Sequence, residues 1–131
     1  MDEVPIQSGD DVVRVRQQVR TTAAENGLSL VDQTKLVTAA SELARNTLVH
    51  GGGGTARVEV VKSPNGRTGV KLHFNDEGPG IADVDLALTD GWTSGNGLGL
   101  GLSGARRLVD EFELTSKPGG GTSVTVVKWS R

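Results

Sequence analysis

Hydrophobic positions change period several times along this chain, and each change marks an element. "EVPIQS" alternates weakly over residues 3–8 and predicts a short first strand. Pro5, with no N–H to donate, suggests a sheet edge. From Ser8 the spacing turns helical. Val12, Val15, Val19 and Ala23 recur on one face, and Ser8 with Asp11 three residues on forms an N-cap pair. Asn26-Gly27 ends this helix. A second, stronger helical pattern fills "SLVDQTKLVTAASELARNTLVHG". Ser29 and Asp32 start it, Leu36, Ala40, Leu43, Thr47 and Leu48 form its buried stripe, and Gly51 stops it.

The period then drops to two. "ARVEVVK" and "GVKLHFND" read as strands, joined by "SPNGRT", whose Asn65-Gly66 is a hairpin signal. A glycine-rich stretch follows, and "GARRLVDEF" reads as a helix running out of it. "FELTSK" and "TSVTVVKW" form a second hairpin around "PGGG". The order is strand, two helices, two strands, loop, helix, two strands. It predicts an α+β two-layer sandwich: a mostly antiparallel mixed sheet with helices on one face. The expected organisation is one domain over residues 1–131, without repeat or linker.

Composition narrows the class. Aromatic residues are 3% of the chain, so the core must be built from Val, Leu, Ile and Ala. No apolar run approaches a membrane span, and "MDEVPIQSGDD" does not resemble a signal peptide, so a cytoplasmic protein without membrane contact is expected. With no cysteine, disulfides and thiolate metal sites are excluded. A net charge of -2 gives no reason to expect nucleic acid.

Three short patterns carry candidate chemistry. Glu42 and Asn46 lie four residues apart on the second helix and so share a face, expected roughly opposite the Leu36/Leu43 stripe. That face is either solvated or a metal-and-base pair: an amide oxygen suits Mg²⁺, and a carboxylate can accept a proton. His50 is read as a helix C-terminal residue and given no chemistry. In "VKLHFND", Val70, Leu72, Phe74 and Asp76 point to one face. Asp76 either caps the turn that follows or accepts a hydrogen bond from an adenine amine. In "GNGLGLGLSG", Gly99, Gly101 and Gly104 match G-x-G-x-x-G, yet no strand precedes the run and no acid follows at the expected distance. Such a loop can still offer backbone N–H groups to phosphate. "GGGG" at 51–54 follows a helix and precedes a strand, so it is read as a connecting turn.

The three patterns occur in one order, Glu-x-x-x-Asn, Asp-x-Gly-x-Gly, then Gly-x-Gly-x-Gly, and "GGT" at Gly120 to Thr122 opens the last strand. In this order they resemble the ATP-binding fold shared by gyrase, Hsp90, histidine kinases and MutL. "SELARNTLVHG" resembles that superfamily's N box, "DEGPGI" and "GLGLGL" its two glycine boxes, and "GGT" its terminal Gly-Thr. Within it, "DGWTSGNGLGLGLSGARRLVDEFELTSKPGGGTSV" is similar to the serine/threonine switch kinases of bacterial partner-switching pathways and, less closely, to anti-sigma factor kinases.

The resemblance implies ATP and Mg²⁺ as ligands. Asn46 would hold the Mg²⁺, Glu42 would be the general base, and Asp76 would accept the adenine amine with Thr122 nearby. Gly78, Gly80 and Ile81 would lie at the nucleoside, and Gly97, Leu98, Gly99, Leu100, Gly101 and Leu102 at the phosphates. Residues 78–104 carry no Lys or Arg, so the γ-phosphate would rest on Mg²⁺, backbone amides, and Arg45, Arg106 or Arg107 if any of these leaves solvent. The implied substrate is a STAS-domain protein, and the implied second partner a PP2C-type phosphatase. The alternative is an anti-sigma factor that sequesters a sigma factor as a homodimer with ATP bound. A histidine kinase catalytic domain is disfavoured, since the chain begins at its first strand with no room for a dimerisation helix.

Overall fold

The computed structural model describes residues 3–80 and 101–131. In chain order these form β1 (Glu3–Ile6), α1 (Gly9–Glu25), α2 (Leu30–Val49), β2 (Gly54–Lys62), β3 (Thr68–Asp76), α3 (Gly101–Arg107), β4 (Glu111–Ser116) and β5 (Thr122–Trp129). The strands make one sheet in the order β1-β2-β3-β5-β4, and each pairing among the described residues is antiparallel. β1 is indeed an edge strand, with Pro5 opposite Thr55. Among the described residues the order of elements is the predicted one; the predicted loop between the fifth element and the third helix lies largely outside them.

Register divides the sheet into two faces. On one, Ala56, Phe74, Val124 and Leu114 stand in a row, and Val58, Leu72, Val126 and Phe112 form the next. Most of these side chains are buried beneath α1 and α2. The helices supply Val15, Val19 and Ala23 from α1 and Leu36, Ala40 and Leu43 from α2, all essentially without solvent contact. Burying one such Val or Leu contributes ~1.5–3 kcal/mol, so this shared core dominates the stability. The other face carries Arg57, Glu59, Lys71, His73 and Thr125, a polar surface.

Local chemistry explains the helix ends. Leu28 N–H reaches Ala23 O at 3.1 Å and Gly27 N–H reaches Ala24 O at 3.5 Å, the paired bonds of a Schellman stop. The Ser29 hydroxyl accepts the Asp32 N–H at 3.1 Å and starts α2 as expected. Ser8 departs from expectation. It occupies the N-cap position of α1, but its side chain makes no capping bond. Asp11 instead ties the first turn to the preceding chain: its carboxylate accepts the Gln7 N–H at 2.8 Å and pairs with Arg14 at 3.0 Å.

The third helix also departs from expectation. It ends at Arg107, whereas the helical pattern ran on through Phe112. Asp110 N–H instead bonds Val127 O at 2.9 Å, and the strand pairing of β4 with β5 begins one residue later. Phe112 and Leu114 thereby reach the core by alternation, which a helix over the same residues would not allow.

At the end of the sheet carrying Lys128, charge enters the core. Lys128 is 4% exposed, and its ammonium lies 3.6 Å from Asp32 and 3.7 Å from Asp110. Arg131 bonds the same two carboxylates. The start of α2 is thus tied to both ends of the second hairpin.

Candidate functional site

The helix-facing side of the sheet ends in a polar row at the end opposite Lys128. Gly54 stands opposite Asp76, Asp76 opposite Thr122, and Thr122 opposite Ser116. Each belongs to the same alternation as the core residues one row away, so strand periodicity alone delivers them to this face. The Thr122 and Ser116 hydroxyls bond each other at 3.0 Å, and Ser116 also donates to Gly121 O at 3.2 Å. Ser116 was missed in the sequence because a lone Ser at a strand end carries no pattern. Its place became visible through register.

Asp76 meets the first of its two readings, as the cap of the turn. One carboxylate oxygen, Oδ1, accepts the Gly78 N–H at 2.9 Å and caps the turn. Among the described residues, Oδ2 has no hydrogen-bond partner. A half-buried carboxylate oxygen left this way calls for a donor from a ligand or solvent.

The walls around Asp76 are backbone. A Cβ at position 51 would lie 2.5 Å from Asp76 Cβ and 2.6 Å from its Oδ2. A Cβ at position 78 would lie 2.7 Å from Gly51 Cα. The 51–54 run is a connecting turn, as expected, but its first glycine also packs on the Asp76 carboxylate, a contact not legible from the sequence. The turn after β4 closes the other side, where Gly119 N–H bonds Pro79 O at 2.7 Å.

The last turns of α2 lead directly to this row. Gly51 N–H bonds Asn46 O at 3.1 Å, so the end of the helix and the Asp76 pocket are continuous. Glu42 and Asn46 lie one turn apart, about 6 Å along the axis. They are not opposite the Leu36/Leu43 stripe. At about 100° per residue both fall on its shoulder, and both are half-buried. Among the described residues neither the Glu42 carboxylate nor the Asn46 amide has a hydrogen-bond or ion-pair partner. Both side chains are therefore open to a ligand or to solvent. His50 and Arg107 do have partners. Arg45, Arg106 and Arg107 are exposed.

α3, which begins at Gly101, packs against α2. Leu102 is 8% exposed and its side chain belongs to the core, so it can offer a ligand only its backbone. Ile81, Gly97, Leu98, Gly99 and Leu100 lie outside the described residues. Among the described residues there is no group of three or more His, Cys, Asp and Glu able to hold a metal. No helix among them is long and apolar enough to cross a membrane.

Comparison with known proteins identifies the family. Residues 31–130 match the family described as histidine kinase-, DNA gyrase B-, and HSP90-like ATPase. The chain is 44% identical over 121 residues to the serine/threonine-protein kinase RsbT of Bacillus subtilis, covering 92% of this chain and 90% of that one. It is 27% identical over 117 residues to an anti-sigma F factor of Thermoanaerobacter, covering 87% and 82%. Among solved structures, the RsbU and RsbW domains of a Mycobacterium tuberculosis protein superpose with a TM-score of 0.62 at 23% identity. That match covers 100% of this chain and 33% of the other, and it bears on the fold alone.

Proposed function

The chain belongs to the histidine kinase-, DNA gyrase B-, and HSP90-like ATPase family, and from that premise we propose that it is an ATP-dependent protein-serine/threonine kinase of a bacterial partner-switching pathway. The observation that carries the reading is the 44% identity to a serine/threonine-protein kinase over nearly the whole of both chains. The site supports it: a carboxylate with one uncommitted oxygen at the sheet end, joined through backbone to a helix bearing an uncommitted carboxylate and amide.

In this reading Asp76 Oδ2 accepts the adenine amine, and Thr122, fixed by Ser116, completes that wall. Gly78 and Gly80 let the turn lie flat against the nucleoside. Asn46 offers its amide oxygen to Mg²⁺, which when bound neutralises phosphate charge. Glu42 accepts the proton from a serine or threonine hydroxyl of the partner as that oxygen bonds to the γ-phosphorus and ADP leaves. The protein's own contribution is mainly positioning and charge compensation. Gly97, Gly99 and Gly101 supply backbone N–H groups to the phosphates.

The proposed substrate is a STAS-domain protein. Phosphorylation adds a dianion to a packed interface and releases the kinase to a second partner, a PP2C-type phosphatase. The 27% identity to an anti-sigma F factor supports a second reading, sequestration of a sigma factor with ATP bound. Phosphate transfer from labelled ATP to STAS proteins, in wild type and in Glu42→Ala and Asn46→Ala, separates the two. Transfer lost in both variants supports the kinase. ATP binding with no transfer to any partner, and capture of a sigma factor, supports the second reading.

A further inference from the structure

We propose that Gly51 is a base-specificity position, where the absence of a side chain sets the Asp76 carboxylate against the end of α2 and so aims Oδ2 at the amine of the base. The inference rests on the reading of Asp76 as the acceptor of that amine.

Three contacts carry it. Oδ1 accepts the Gly78 N–H at 2.9 Å, which orients the carboxylate. A Cβ at position 51 would fall 2.5 Å from Asp76 Cβ and 2.6 Å from Oδ2. The obstructed atoms include the root of the side chain, so bending a flexible tip cannot relieve the contact. The carboxylate must swing, or the end of α2 must lift. Gly78 closes the stack from the other side, since a Cβ there would meet Gly51 Cα at 2.7 Å and Gly51 O at 2.8 Å.

Position 51 also belongs to the phosphate end. Its N–H bonds Asn46 O at 3.1 Å, so one glycine touches the base acceptor with its Cα side and the Asn46 turn with its N–H. The residue therefore fixes where the base acceptor lies relative to the helix that carries Glu42 and Asn46. Its neighbour Gly52 has no such contact: a Cβ there meets nothing within 4 Å, although its φ is +73°.

The test is equilibrium binding of ATP and of purine riboside triphosphate, which lacks only the exocyclic amine, each with Mg²⁺. Wild type should prefer ATP by on the order of 10–100-fold, the range of one hydrogen bond to a charged group. Gly51→Ala should bring that ratio to within about threefold of one, by the same reckoning. Gly52→Ala should lower Tm through backbone strain and keep the wild-type ratio. A general loss of stability would weaken both nucleotides and leave the ratio, so the ratio reports aim and not folding. Should Gly51→Ala fail to fold by circular dichroism, Gly78→Ala probes the same stack and should collapse the ratio likewise. A wild-type ratio retained in a folded Gly51→Ala or Gly78→Ala protein overturns the proposal. Wild type that binds ATP without preferring it overturns the Asp76 reading, and this inference falls with it.

Discussion

Asp76 and Thr122 stand directly opposite each other on β3 and β5, on the last helix-facing row of the sheet. The row next to them, Phe74 opposite Val124, is buried core. One strand step thus separates a sealed apolar interior from a carboxylate with an uncommitted oxygen. The core holds the backbone of both strands, so packing positions the polar pair.

Asp76→Asn should bind ATP more weakly by on the order of 10–100-fold, because the amide turns one acceptor into a donor facing the amine. The turn should survive, since the amide oxygen can still take the Gly78 N–H. Calorimetric titration with ATP and thermal melting check both halves. Unchanged affinity would count against Asp76 as the base acceptor.

Glu42→Ala and Asn46→Ala should separate the chemistry from the metal. Glu42→Ala should lower kcat for transfer by about 10²- to 10⁴-fold with little change in ATP affinity, as expected of a general base. Asn46→Ala should weaken Mg²⁺-dependent ATP binding by on the order of 10–100-fold. Single-turnover transfer measured beside nucleotide titration distinguishes them, and equal loss of binding in both variants would contradict the assignment.

The two helix starts should respond differently to the same change. Ser29→Ala removes a capping bond of 3.1 Å and should cost about 1 kcal/mol. Ser8→Ala removes no capping bond and should fall within about 0.5 kcal/mol of wild type. Urea unfolding of both variants is the check; equal losses would mean that Ser8 caps after all.

Asp32→Ala should destabilise the fold by about 3 kcal/mol, because it leaves the buried Lys128 ammonium with Asp110 alone. Lys128→Met in the same background should recover most of that loss, since it removes a buried ammonium left with one of its two carboxylates. Thermal unfolding of the single and double variants measures it. A double variant no more stable than Asp32→Ala would show that the cost lies elsewhere.

Much of the candidate site was legible in linear order. Helical spacing put Glu42 and Asn46 one turn apart, and strand alternation put Asp76 beyond Phe74 on the core face. Ser116 and Gly51 were not legible. Gly51 lies far along the chain from the Asp76 it touches, and Ser116 meets Thr122 through a hairpin register that its neighbours do not specify. Residues 108–110 show a related limit: their pattern continues a helix, but pairing with β5 offers a better burial for Phe112 and Leu114.

By itself the sequence determined the order of elements, the hairpin turns, the core stripes and the family to which the chain belongs. Those features depend on neighbours within a few residues, where periodicity, turn chemistry and motif spacing act. Only the tertiary structure decided that β3 pairs with β5, that the hairpin partners Ser116 and Thr122 stand beside Asp76, and that a glycine after α2 backs the Asp76 carboxylate. These are contacts between distant segments, set by which surfaces exclude water together and how closely two backbones can approach. The pattern along a chain records which residues must be buried, but not which residues they will meet.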